Sequence, residues 1–194
     1  MNGQGKRIVL ASASPRRREL LSSLGVDYDI VVPDVDEESV QSHSPAELAQ
    51  GRALLKARAA AELVPGAIAI GADTIVVCDG EVLGKPRDAA DAKRLLEKLS
   101  GRTHVVITGV AVCEAGGECL VDRAETEVRF RPLTREEIER YVATGEPMDK
   151  AGAYGIQGKG ALLVEHIVGD YFNVVGLPLV LLASMLRRFG VTLL

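Results

Sequence analysis

The stretch "HVVITGVAVCEAGGECLVDRAETEVRF", residues 104–130, decides the fold class. Its first half is β-branched and apolar, Gly116 and Gly117 stand at its centre, and a second run follows, which is the composition of a long β-hairpin. A hairpin makes its two strands antiparallel. On both sides the chain alternates short apolar runs with helical periodicity. Antiparallel strands interleaved with helices predict an α/β protein with a mixed sheet flanked by helices, not a purely parallel one. There is no internal repeat, low-complexity tract or Pro/Gly-rich linker, so residues 1–194 read as a single domain.

Upstream of the hairpin, "RIVLA" (7–11) reads as a buried strand. Ser14 and Pro15 then supply a helix cap and the proline favoured at the first helical position, and Gly25 ends that helix. "YDIVV" (28–32) reads as a second strand, and the acidic loop "PDVDEES" (33–39) follows. In "SPAELAQGRALLKARAAAELV" (44–64) Ser44 and Glu47 form a capping box around Pro45. "AIAIGADTIVVCDGEVLGKP" (67–86) is a strand carrying Asp73, a turn at Asp79 and Gly80, and a return strand ending beside Lys85. Asp88 caps the next helix, whose Ala92, Leu95, Leu96 and Leu99 share a face before Gly101 stops it. Downstream, Thr134 and Glu137 make a capping box for "REEIERYVATG" (135–145). A glycine-rich stretch, two short strands and the apolar helix of "LPLVLLASMLRRFG" (177–190) complete the chain.

Composition excludes several roles. The chain is 47% hydrophobic and 26% charged, ordinary for a globular protein. With 27 acidic and 23 basic residues, the net charge of −4 gives no broad attraction to a nucleic acid polymer or an anionic membrane. No apolar run approaches a membrane span, and the start "MNGQGKRIVLASAS" lacks the layout of a signal peptide. Cys78, Cys113 and Cys119 are odd in number and form no CxxC pair, which reads as reduced thiols in a cytoplasmic protein without a zinc site.

Chemistry concentrates in a few places. "SASPRRREL" (12–20) sets Arg16, Arg17 and Arg18 on the first turn of a helix. Cations there oppose the helix dipole by about 0.3 to 1 kcal/mol each unless an anion sits opposite. Helix N–H groups, the Ser12 and Ser14 hydroxyls and the Arg16 and Arg17 guanidinium groups together make a phosphate site. An arginine run on its own also reads as a solvated helix face, and it is the position directly after a strand that favours the anion. Asp73 lies inside an apolar strand, where an ionised carboxylate needs a partner, either a neighbouring cation or a metal. With Glu37 or Glu38 it could hold a hard cation between carboxylates and phosphates. The glycines at 152, 155, 158 and 160 predict either a backbone closely approached by a ligand or a set of tight turns.

The segments "LASASPRRRELL", "GADTIVV", "GEVLGKPRDAADA", "LSGRTH", "DKAGAYGIQGKGA" and "GDYFNVVGLPL", in this order across nearly the whole chain, resemble the Maf family of nucleotide pyrophosphatases, historically named for septum formation. The resemblance implies a fold similar to the inosine triphosphatases, with two lobes around a central cleft, and a homodimer. It implies hydrolysis of a nucleoside triphosphate to the monophosphate and pyrophosphate with a divalent cation, Mg or Mn. Asp73 matches the catalytic position and, with Glu37, the metal site; Arg16, Thr74 and Gln157 match positions of substrate choice. Ser14, Arg17, Lys56 and Lys85 match other polar positions around the phosphates. One branch of the family carries arginine, threonine and glutamine as here and acts on dTTP and UTP. A second, acting on 7-methyl-GTP, tends to carry tryptophan, glutamine and glutamate. The glutamine amide offers an acceptor for a pyrimidine imide N–H and a donor for the adjacent carbonyl. The same chemistry on modified purine nucleotides, or a nucleotide-binding regulator without turnover, are the alternatives.

Overall fold

The computed structural model describes residues 6–194. The start of the chain up to residue 5, part of the stretch read against a signal peptide, lies outside the described residues. Among the described residues seven strands form one mixed sheet. They are β1 (Arg7–Leu10), β2 (Asp29–Ile30), β3 (Ala67–Cys78), β4 (Glu81–Leu83), β5 (Thr103–Glu114), β6 (Cys119–Phe130) and β7 (Val164–Val168). Their order is β2-β1-β3-β5-β6-β7, with β4 paired to β3. The helices are α1 (Pro15–Ser23), α2 (Pro45–Leu63), α3 (Ala89–Leu99), α4 (Arg135–Val142), α5 (Tyr171–Val175) and α6 (Leu179–Arg188). None of them is long and apolar enough to cross a membrane.

The chain divides into two compact units. The first holds the described residues through Asp73, Thr108–Ala124 and Gly176–Leu194. In it β1 pairs in parallel with both β2 and the first residues of β3. Its core is built from small side chains: Ala53, Ala57, Ala60 and Ala61 of α2 lie on Val9, Ala67, Ala69 and Ala111. Removing only methyl-sized groups from water, such a face gains less per residue than leucine would, but it lets helix and sheet come close.

The second unit holds Thr74–Ile107 and Glu125–Val175. β3 and β4 form the expected hairpin, with Asp79 and Gly80 both at positive φ (51° and 79°), as its two-residue turn requires. Leu95, Leu96 and Leu99 of α3 pack with Phe130, Ile138, Tyr141 and Tyr154, so the apolar face read from the sequence is the buried one. The Thr134–Glu137 capping box is complete.

Five local readings are corrected. The expected strand 28–32 is only two residues long, at the sheet's edge. Two short strands before the last helix are one, β7; the rest of the glycine-rich stretch forms 3-10 turns and α5. Ser44 caps α2, but Glu47 accepts from the His43 N–H, so the reciprocal bond sits one residue earlier than in a capping box. Ser14 occupies the cap position of α1 without a side-chain capping bond. Cys113 and Cys119, opposite each other where the β5–β6 hairpin turns, form a disulfide, and Cys78 is the free, buried thiol. An odd count forbids full pairing but not one pair brought together by a hairpin.

Candidate active site

The close approach of α2 to β3 places the first group of polar residues. A Cβ on Gly71 would meet the Ala53 carbonyl oxygen at 2.2 Å, and one on Gly109 the Ala49 carbonyl at 2.4 Å. Only hydrogen fits there, so the helix backbone rides directly on the sheet. Asp73, two residues beyond Gly71, shares its face of β3. One turn of α2 beyond Ala53, Lys56 reaches it, with Nζ 2.8 Å from Asp73 Oδ1 and 2.7 Å from Glu37 Oε2. Asp73 is only 8% exposed. Its second oxygen, Oδ2, is buried and hydrogen-bonded to no protein group. Glu37 rather than Glu38 joins this cluster, since Glu38 is exposed and pairs with Arg52. Burial alone would raise the Glu37 carboxyl; the Lys56 hydrogen bond and charge, with the charge of Arg52, outweigh it and hold Glu37 below the usual range.

The second group is built on the turn into α1. Arg17 Nε donates to the Gly176 carbonyl (2.8 Å) and Nη1 to Ser12 Oγ (3.4 Å), while Ser12 Oγ also accepts the Ser14 N–H. Withdrawal from water pulls the Arg17 guanidinium below the usual arginine range; Asp73 and Glu37 act against that pull, and Arg16 adds to it. Arg17 therefore lies within electrostatic reach of the carboxylates that Lys56 bridges. Two cations, Arg17 and Lys56, stand with two carboxylates, Asp73 and Glu37, and Arg16 is near enough to act on the charge of Arg17. Ser12, mentioned with Ser14 in the sequence reading, proves to orient Arg17. Gly176 was missed: its contribution is a backbone carbonyl, for which residue type gives no signal.

Thr74, Lys85 and Gln157 belong to the second unit. Thr74 follows Asp73 on β3 and is partly buried; Lys85 is exposed just after β4; Gln157, partly buried, occupies the cap position of the 3-10 turn Gly158–Leu163 without a side-chain capping bond. The glycines around Gln157 do have a closely approached backbone, but the chain's own atoms make the approach. A Cβ on Gly160 would meet the Gly155 carbonyl oxygen at 2.0 Å, and one on Gly158, at φ 64°, would meet Glu146 Oε2 at 2.9 Å. This overturns the ligand reading at those two positions.

Among the described residues no cluster of three or more His, Cys, Asp or Glu forms a metal cage. The Asp73 and Glu37 carboxylates nevertheless fit a hard divalent cation, because such an ion commonly takes one or two carboxylates and completes its shell with phosphate oxygens and water. The fit rests on the donor set, two carboxylates held within reach of one ammonium.

A family model described as "Maf-like protein" matches residues 7–189. A curated relative from Symbiobacterium thermophilum, named dTTP/UTP pyrophosphatase, is 59% identical over 185 residues, covering 95% of this chain and 95% of its own length. Another of that name from Dictyoglomus thermophilum is 56% identical over 191 residues, covering 97% of this chain and 99% of its own. In fold, the solved structure of a HAM1 protein from Coxiella burnetii matches 94% of this chain and 99% of its own, with a TM-score of 0.53 at 20% identity.

Proposed function

Because the chain belongs to the Maf-like protein family, we propose that it hydrolyses dTTP and UTP to the nucleoside monophosphate and pyrophosphate. Relatives of that name at this identity support the substrate. The observation that carries the chemistry is the divided environment of Asp73, one oxygen bound by Lys56 and the other buried and unbonded.

In this reading Lys56 fixes the carboxylate so that Oδ2 accepts a proton from the attacking water. The water oxygen bonds to the α-phosphorus, the bond from that phosphorus to the bridging oxygen breaks, and pyrophosphate leaves with the electron pair. Arg16 and Arg17, with Ser14, hold the triphosphate and offset charge gathering on the leaving group; Lys85 matches a further phosphate position of the family. Thr74 and Gln157, which match the family's positions of substrate choice, select the nucleoside. Mg or Mn, held by Asp73 and Glu37, would polarise phosphate oxygens and lower the pKa of a bound water. A nucleoside triphosphate is an intracellular metabolite, which supports a cytoplasmic site of action; the Cys113–Cys119 disulfide is the feature that runs against a reducing compartment. The homodimer implied by the family belongs to the same reading, and sedimentation tests it.

Pyrophosphate release from a panel of nucleoside triphosphates, with and without Mg or Mn, tests the proposal. The expected result is metal-dependent turnover of dTTP and UTP well above purine nucleotides. Preference for 7-methyl-GTP, or binding without turnover, contradicts it.

A further inference from the structure

Within the second unit, a single carboxylate organises the backbone on both sides of Gln157. Glu146 Oε1 accepts from the Tyr141 hydroxyl (2.9 Å) and the Gly160 N–H (3.0 Å), and Oε2 accepts from the Lys159 N–H (3.1 Å). The Tyr141 hydroxyl in turn accepts the Gly155 N–H at 3.2 Å. Two residues before Gln157 the chain is tied to Tyr141; two and three residues after it, the chain is tied to Glu146. Lys150 closes the arrangement: its ammonium donates to the Glu146 carbonyl, and its stem lies against Gly155, where a Cβ would meet Cε at 2.9 Å. Three donors aimed at two oxygens need a carboxylate. An amide in its place would turn its own N–H groups toward one of those donors.

We propose that Glu146, acting with Tyr141, is a positioning residue that fixes Gln157 and thereby sets the enzyme's preference among bases. The proposal rests on the reading of Gln157 as the base-recognising residue. A side chain that reads a base edge by paired hydrogen bonds discriminates only while its backbone is held, since a loose amide can turn to meet the wrong edge. Glu146→Gln loses the Lys159 contact, and Tyr141→Phe loses the Gly155 tie while leaving the apolar packing in place.

The test measures kcat/KM for dTTP and for GTP in wild type, Glu146→Gln, Tyr141→Phe, Gln157→Ala and the double variant Glu146→Gln/Gln157→Ala. In Glu146→Gln the dTTP-to-GTP ratio should fall about tenfold through a raised KM for dTTP, with kcat and inhibition by pyrophosphate little changed. Tyr141→Phe should shift the ratio in the same direction, and serves if Glu146→Gln does not fold. In the double variant the ratio should equal that of Gln157→Ala alone. Parallel losses on both nucleotides with an unchanged ratio, while Gln157→Ala does alter it, overturn the positioning role alone. An unchanged ratio in Gln157→Ala overturns the base-reading assignment, and the proposal with it.

Discussion

Asp73 was conspicuous in the sequence as the one charge inside an apolar strand, and the structure gives it the cation such a position demands. Lys56, by contrast, was legible only through family resemblance, since nothing in the helix marks it off from the other basic residues of α2. Ser12 and Gly176 act through atoms that sequence reading does not weigh: a serine already assigned to an anion, and a main-chain carbonyl. The Lys56 bridge carries a prediction of its own. Lys56→Gln removes the ammonium that ties Asp73 Oδ1 to Glu37 Oε2, so the Asp73 carboxylate is no longer held against the attacking water and kcat should fall about a hundredfold with nucleotide binding largely kept. Steady-state kinetics with a nucleotide-binding titration check this; a wild-type kcat would separate Lys56 from Asp73.

At the scale of elements, most of what the sequence encodes locally was readable, because caps and turns depend on nearby residues. Asp88, Thr134 with Glu137, the Asp79–Gly80 turn and the β5–β6 hairpin all formed as their residues require. What failed depended on partners distant in sequence. "YDIVV" has strand composition, yet only Asp29 and Ile30 pair, with β1. The disulfide follows from cross-strand register, not from cysteine number. The role of Gly71 was also invisible until α2 was seen to lie on it. Gly71→Ala puts a methyl group 2.2 Å from the Ala53 carbonyl oxygen, backbone that cannot rotate away. The helix must lift, at a cost of about 3 kcal/mol or more, and Lys56 lifts with it. The expected outcome is a lower denaturation midpoint together with a loss of kcat. A variant with wild-type stability and turnover would show that the seam tolerates displacement.

Over the whole molecule, two properties can be measured, its stability across pH and its reaction. His104 is 2% exposed, edge-on to the Phe130 and Tyr154 rings, with Nε2 2.7 Å from the Tyr154 hydroxyl. Burial lowers its pKa to about 4. Below the ordinary histidine value of about 6.5 the unfolded chain takes up a proton that the folded chain refuses. Stability from this group is therefore constant above that pH and declines as pH falls toward 4, by on the order of 3 kcal/mol. Denaturant midpoints measured across that window should fall more steeply in wild type than in His104→Gln, and equal slopes would contradict the assignment. The second property is the reaction. Hydrolysis run in oxygen-18 water with dTTP and the divalent cation, followed by mass analysis of both products, tests the account most directly. Attack on the α-phosphorus with Asp73 as base predicts the label in the monophosphate alone, and loss of most turnover in Asp73→Asn with nucleotide binding retained. Label in pyrophosphate, or near wild-type turnover by Asp73→Asn, would contradict it.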